Sequence, residues 1–204
     1  MKDLLLHLFP RFVFKDDLRI VYTFCLGGLT FSAFLLLLLS GILLAFYYRP
    51  APSEAYASIL FLEEHVFLGR FLRNLHRLAS STFLVLILLH ALRVVFTGAF
   101  RFRSYNWGIG LILMGVGILA AYTGYALPMD QLGFWASKTG MTLLGVFPLG
   151  AVGQKLLTPD GVGGSLMLIR FYVLHVIFLP LGMIVLVSVH FYRVRKDGGV
   201  LPYC

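Results

Sequence analysis

One apolar run, Leu75 to Arg93 (LHRLASSTFLVLILLHALR), constrains this chain more than any other, because it holds two histidines, His76 and His90, fourteen residues apart. At about 100° per residue, fourteen steps return to within about 40° of the starting direction, so both imidazoles leave nearly one face of a helix. With a rise of about 1.5 Å per residue they stand roughly 21 Å apart, against a hydrocarbon thickness of about 30 Å, which puts one in each leaflet. A second apolar run, Phe171 to Tyr192, carries His175 and His190 fifteen residues apart, within about 60° of one face. If the two helices run the same way, the four histidines form two pairs, one above the other.

The chain has to be a membrane protein for this to hold, and its composition says that it is. Its 204 residues are 59% hydrophobic and 13% charged, with a mean hydropathy of +0.89, which a water-soluble surface does not accommodate. Four segments are long enough to span, roughly 22–47, 76–96, 107–127 and 166–192. The expected fold is therefore all-α, an integral membrane four-helix bundle forming one domain over residues 1–204. The net charge of +8 does not point to nucleic acid, since the basic residues sit at helix ends and not in a stripe interleaved with aromatics.

Four spans put both termini on one side, together with Lys2, Arg11, Lys15, Arg19, Arg101, Arg103, Arg193, Arg195 and Lys196. By the positive-inside rule that side is cytoplasmic, stromal or matrix, here called negative. Glu54, Glu63, Glu64, Asp130 and Asp160 fall on the opposite, positive side. His76 then pairs with His175 near the positive face, and His90 with His190 near the negative face. The first twenty residues lack the pattern of a signal peptide. They read as an amphipathic surface segment, with Leu4, Leu5, Leu8, Phe9, Phe12 and Phe14 dipping into the headgroups; His7 lies there without a role. Two cysteines, Cys25 and Cys204, make no disulfide framework.

Two facing imidazoles suit a six-coordinate haem iron, whose other four ligands come from the porphyrin. Zinc asks for four protein ligands, or three and a water. A single histidine in a membrane helix reads more readily as a hydrogen-bonding or proton-relay residue; two matched pairs at leaflet spacing favour haem. The other two spans carry no histidine but hold Gly27 and Gly41, and Gly110 and Gly124, each pair again fourteen apart. Glycine there lets helices close around a macrocycle without a Cβ in the way. Gly28, Gly108, Gly115 and Gly117 read as chance spacings. Arg73, Arg77, Arg93 and Arg170 lie beside the histidines and suit the two haem propionates, with snorkelling at helix ends as the plainer reading. Pro180 should bend its helix between the two levels. The connection from Pro128 to Ser165 should hold one or two short surface helices beneath which a lipophilic quinol enters; its DGVGG run is a linker, not a phosphate loop.

The four histidines, with YTFCLGG (Tyr22 to Gly28), FYYRP (Phe46 to Pro50), TGYALP (Thr123 to Pro128), RFYVLH (Arg170 to His175) and HFYRVRK (His190 to Lys196), together resemble the cytochrome b6 family. That family is the four-helix cytochrome b of b6f and related bc complexes, and the likeness runs from Tyr22 to Lys196. Fifteen residues in the last helix favour its b6 branch. The resemblance implies an electron-transfer subunit of a quinol oxidoreductase, inactive alone. Quinol is oxidised at the positive face, and electrons cross through two b haems held by His76 with His175 and His90 with His190 to quinone at the negative face.

By its residues alone Cys25 reads as an inert small hydrophobe. In the b6 branch the matching cysteine is a single-thioether anchor for a covalent c-type haem, with Arg195 lining the same pocket. The implied partners are a Rieske iron-sulfur protein or a c-type cytochrome, membrane lipid, and a second copy of the complex. The Pro-Glu-Trp-Tyr element of the quinol site is missing, which implies a separate three-helix subunit carrying it. The implied location is a bacterial inner or thylakoid membrane. The chain departs from the family at Met129, where a tryptophan is usual, and in its GGVLPYC tail, where Cys204 has no physical account. Three other readings remain: a b6-like subunit serving a multihaem cytochrome c, a di-haem anchor of a formate dehydrogenase or hydrogenase, and a non-redox transporter whose histidines relay protons.

Overall fold

The computed structural model describes residues 25–197. The expectations for the amphipathic N-terminal segment, for His7 and for Cys204 fall outside these residues. Among the described residues all regular structure is helical: α1 (Leu26–Ala45), α2 (Ala55–His65), α3 (Gly69–Phe96), α4 (Ala99–Phe102), α5 (Ser104–Ala126), α6 (Gln131–Val146), α7 (Gly150–Leu157) and α8 (Ser165–Val173). A π turn (Leu174–Phe178) then leads into α9 (Leu179–Lys196). Four helical stretches are long and apolar enough to cross a membrane, namely α1, α3, α5 and the continuous α8–α9 rod. This is the all-α membrane four-helix architecture that the hydropathy pattern predicts. Leu39, Leu78, Ile112 and Val185 lie on its exposed apolar exterior.

Two elements differ from the sequence expectation. Helix α3 begins at Gly69, seven residues before the expected start at His76. Apolarity marks only the part that lies in hydrocarbon, whereas Arg70 and Arg73 are good helix formers that carry the same helix outward. Helix α2 was not anticipated; its buried stripe is short and weakly apolar, Ala55, Ser58 and Leu62. At the α2–α3 corner Gly69 packs so closely on the Leu62 carbonyl that no Cβ fits, which is why glycine opens α3.

The connection between the third and fourth spans contains two helices, α6 and α7, packed on one another. Asp130 caps α6 by accepting a 2.7 Å hydrogen bond from the Gly133 amide. Asp160 accepts from the Leu166 and Met167 amides at the start of α8, at 2.7 and 3.1 Å. The Leu166 bond, with smaller help from Met167 and the Arg170 charge, holds this carboxyl below the ordinary aspartate range. The Tyr48 hydroxyl donates to the Leu127 carbonyl at 2.6 Å, tying the α1–α2 turn to the end of α5. Its ring stacks on Tyr172 of α8 at 5.4 Å.

The spans pack as two pairs, α1 on α3 and α9 on α5, joined by α3 against α5. The fourth span is not a plain α-helix. Pro180 has no N–H for the carbonyl four residues back, and the adjacent Leu179 amide bonds to the Leu174 carbonyl five residues back. The bend expected at Pro180 thus takes the form of a π turn immediately before it. A turn closed over five residues takes up one more residue than an α turn. The fifteen-residue spacing of His175 and His190 is brought back into step with the fourteen of α3.

Candidate functional site

His76 and His175 face one another across the gap between the helix pairs, their ring centroids 6.3 Å apart and their planes crossed at 77°. The Nδ1 atom of His76 lies 2.8 Å from the Ser40 hydroxyl, which donates its own proton to the Leu36 carbonyl at 2.7 Å. Ser40 therefore accepts, and Nδ1 of His76 carries the hydrogen. His175 donates Nδ1–H to the Ala120 carbonyl at 2.9 Å, with the Thr123 hydroxyl at 3.3 Å beside it. Both rings are thereby fixed in the tautomer whose Nε2 keeps its lone pair, the state a metal-ligating histidine needs. Both line a cavity of about 670 Å³, whose walls also include Arg73, Arg77, Tyr48 and Tyr172.

His90 lies within electrostatic reach of His190, so the second pair forms as the topology requires, and α3 runs parallel to α8–α9. Here the Nδ1 atoms of both rings are buried without a well-formed hydrogen bond, with the Asn106 carbonyl lying toward His190; Nε of Arg93, Nε of Arg193 and Oδ1 of Asn106 are buried without a partner.

The glycines with the fourteen-residue interval each lie against one of these rings. Gly41 meets His76, Gly27 meets His90, Gly124 meets His175 and Gly110 meets His190. A Cβ on Gly124 would stand 2.5 Å from Cε1 of His175, and one on Gly27 would stand 3.1 Å from Cε1 of His90. At Gly124, Gly27 and Gly41 glycine makes room for the imidazole itself, whereas a Cβ on Gly110 would stand 3.6 Å from His190 in ordinary contact. Between the two levels lies a layer of Phe34, Phe83, Ile87 and Met183, with the Phe34 and Phe83 rings 6.4 Å apart. Gly117 completes it, since a Cβ there would come within 2.9 Å of Phe83.

The remaining expected residues are placed unevenly. Arg73 and Arg77 line the cavity, and Arg73 also forms an ion pair with Glu63 of α2. Arg170 is turned away, donating to the Leu156 carbonyl at the end of α7. Cys25 is exposed at the start of α1, two residues before the glycine that touches His90, in a left-handed conformation with φ 47°. Arg195 is half-buried in the last turn of α9. Ser40, Thr123, Asn106, Arg193 and Gly117 escaped the sequence reading. The signals were there: Ser40 and Thr123 each precede a site glycine, and Gly117 stands midway between Gly110 and Gly124.

A family model described as cytochrome b/b6/petB matches residues 15–198. The chain belongs to the cytochrome b/b6 family. The cytochrome b6 of Heliobacterium mobile is 41% identical over 177 residues, 86% of this chain and 83% of that protein. The cytochrome b6 of Heliobacterium modesticaldum is 38% identical over 199 residues, 97% of this chain and 91% of that protein. The Synechocystis cytochrome b6 is 37% identical over 180 residues, covering 86% and 80%. Among solved structures, a hyperthermophilic respiratory Complex III contains a chain that superposes with a TM-score of 0.81 at 26% identity, covering 87% of this chain and 48% of that one. As a b-type cytochrome the chain is a haem-binding electron-transfer protein of the membrane.

The residues present fit haem. Among the described residues no three metal-ligating side chains converge, so a metal here draws on two imidazoles and takes its other ligands from elsewhere. With about 2 Å from a metal to each imidazole nitrogen, two rings on opposite sides of one ion come to roughly the separation seen for His76 and His175. His76 and His175 open onto the cavity of about 670 Å³, with Gly41 and Gly124 lining it beside them.

Proposed function

We propose that this chain is the electron-carrying subunit of a b6f- or bc-type quinol oxidoreductase. In this reading His76 and His175 hold one b haem, and His90 and His190 hold the second. Quinol is oxidised on the side of α6 and α7, and electrons pass to quinone on the side of Cys25. The paired haems supply one-electron relay chemistry across the bilayer.

The chain's own residues set up that relay. Ser40 and the Ala120 carbonyl fix the His76 and His175 rings with Nε2 available. Arg73, Arg77 and Arg93 offer guanidinium groups to carboxylates. Gly27, Gly41, Gly110 and Gly124 keep Cβ atoms out of the ring planes. Phe34, Phe83 and Met183 fill the space between levels with apolar material and exclude water. Cys25, two residues before the glycine that packs on His90, is the residue for a single-thioether covalent haem at that end, with Arg195 as a further lining residue of that pocket. In this reading a three-helix partner carries the Pro-Glu-Trp-Tyr element of the quinol site, and the electron acceptor on the α6–α7 side is a Rieske protein or a c-type cytochrome. Both termini then lie on the cytoplasmic or stromal side of a bacterial or thylakoid membrane, in a dimeric complex.

The observation that carries this reading is the meeting of all four histidines, each against one glycine, on two levels of one bundle. A pyridine haemochrome spectrum of the purified protein, with a haem stain on a denaturing gel, tests it. Two b haems per chain and a stained band are expected. A colourless protein would remove the redox reading, and two b haems without a stained band would remove the role of Cys25 alone.

A further inference from the structure

We propose that Arg193 is a carboxylate-binding residue of the His90/His190 level, acting with Arg93 on a haem propionate. This rests on the haem reading above. Both histidines at this level are followed three residues later by arginine, in HALR (His90 to Arg93) and HFYR (His190 to Arg193). Three residues is just under one helical turn, so each arginine stays on its histidine's face, one turn further along. Because α3 and α8–α9 run parallel, the same displacement carries both guanidinium groups to one height.

The Arg193 guanidinium is held from the outside. Its central carbon lies 5.1 Å over the Tyr105 ring, and Nη2 lies 3.5 Å from Oδ1 of Asp197. Asp197 is fixed in turn by Arg103, whose Nη2 donates to the Asp197 carbonyl at 2.9 Å. What these contacts leave over is Nε, buried and without an acceptor, and Nε of Arg93 is in the same condition. A guanidinium N–H can only donate, and a buried charged donor left unmatched is costly, so two of them at one height call for an anionic acceptor. Asp197 balances one of the two charges; a carboxylate between the arginines balances the other. At the other level Arg73 is paired with Glu63 and Arg170 donates to the Leu156 carbonyl; among the described residues the orphaned buried guanidinium Nε atoms are those of Arg93 and Arg193.

The test is redox titration of both b haems in the assembled protein, comparing Arg193→Met, Arg193→Lys and Arg93→Met. Removing a positive charge beside a haem favours the oxidised form. Arg193→Met is therefore expected to lower the midpoint potential of the His90/His190 haem in the same direction as Arg93→Met, and to leave the His76/His175 haem unmoved. Arg193→Lys, which keeps the charge and loses Nε–H, should shift it less. Unchanged potentials in Arg193→Met beside a shift in Arg93→Met would mean that Arg193 only packs on Tyr105, and the clamp fails while the haem reading stands. If Arg193→Met loses the haem of this level alone, retention of that haem in Arg193→Lys supports the clamp, and equal loss in both variants refutes it. Unmutated protein with no pair of b haems would overturn the functional reading itself.

Discussion

The two histidine levels are built from the same parts and finished differently. At the His76/His175 level the protein satisfies both Nδ1 atoms itself, through Ser40 and the Ala120 carbonyl. At the His90/His190 level neither Nδ1 has a well-formed hydrogen bond, although the Asn106 carbonyl lies toward His190, and two arginine Nε atoms and the Asn106 side-chain oxygen are orphaned as well. One residue per helix accompanies this difference, although the partner of His175 is the Ala120 backbone carbonyl and the matching Asn106 carbonyl lies toward His190. Ser40 precedes Gly41 in α1, but Leu26 precedes Gly27; Thr123 precedes Gly124 in α5, but Ile109 precedes Gly110. A hydroxyl stands beside each ring at one level and an aliphatic chain at the other. The first level is therefore the more firmly preorganised by the fold.

The largest effects separate the levels outright. His175→Ala should reduce the haem content from two b haems to one, and His90→Ala should do the same from the other end, each leaving the spectrum of the untouched level. Pyridine haemochrome quantitation with low-temperature spectra of the two variants reads this. Loss of both haems from either variant would mean that the levels are not independent. The Phe34–Phe83 layer between them argues against that, since its packing involves no histidine.

Next come the glycines, where the sign itself should differ. A Cβ at Gly124 would lie 2.5 Å from His175 Cε1, against 3.6 Å from His190 Cε1 for one at Gly110. Gly124→Ala must push the ring or the helix aside, at about 1–3 kcal/mol by the usual cost of overpacking, and should displace the haem of that level. Gly110→Ala meets ordinary van der Waals contact and gains helix propensity, worth about 0.5–1 kcal/mol. Thermal loss of the Soret band in the two variants decides between a difference in sign and no difference.

Removing the preorganisation should bring the levels closer together. Ser40→Ala takes the partner from His76 Nδ1, and losses of about 10–100-fold in metal-site affinity are typical of such changes. Competition for haem by apomyoglobin would measure it. Leu26→Ser, which gives the Gly27 end the hydroxyl it lacks, should slow haem loss from His90; an unaltered rate would mean that the serine's position alone is not what orients the ring.

The 14 and 15 spacings of the histidines were enough to read the bundle and the pairing, because a membrane helix leaves few ways to bring polar residues together; the matched glycines are legible as an interval, but their contact with the imidazoles is not. What was hidden follows from scale. The half-period layer of Phe34, Phe83, Gly117 and Met183 sits among apolar residues, where one more phenylalanine carries no contrast. Helix α2 shows only a three-residue stripe, too short for periodicity to mark it. The π turn is invisible in hydropathy, although Pro180 and the extra residue between His175 and His190 are both consistent with it. Arg170 was read as a site residue from its place in the chain, yet five residues from His175 is well over a helical turn, which gives it to α7 instead.

The smallest expected effect lies in the cavity wall of the preorganised level. Tyr48 donates to the Leu127 carbonyl at 2.6 Å and stacks on Tyr172, so Tyr48→Phe removes the hydrogen bond and keeps the ring, at about 1 kcal/mol. Burial, followed by the neighbouring Tyr172, raises the Tyr48 hydroxyl above its ordinary value of 10.0. The sign follows from linkage: the folded chain keeps this proton where the unfolded chain gives it up. The contribution is complete below pH about 10 and falls away as the pH rises beyond it. Soret-monitored melting between neutral and strongly alkaline pH should show unmutated protein losing stability faster than Tyr48→Phe above that point, until the two converge. Parallel curves would mean that the phenol is solvated in the membrane-bound protein, and the tie between the α1–α2 turn and α5 would then not distinguish this level from the other.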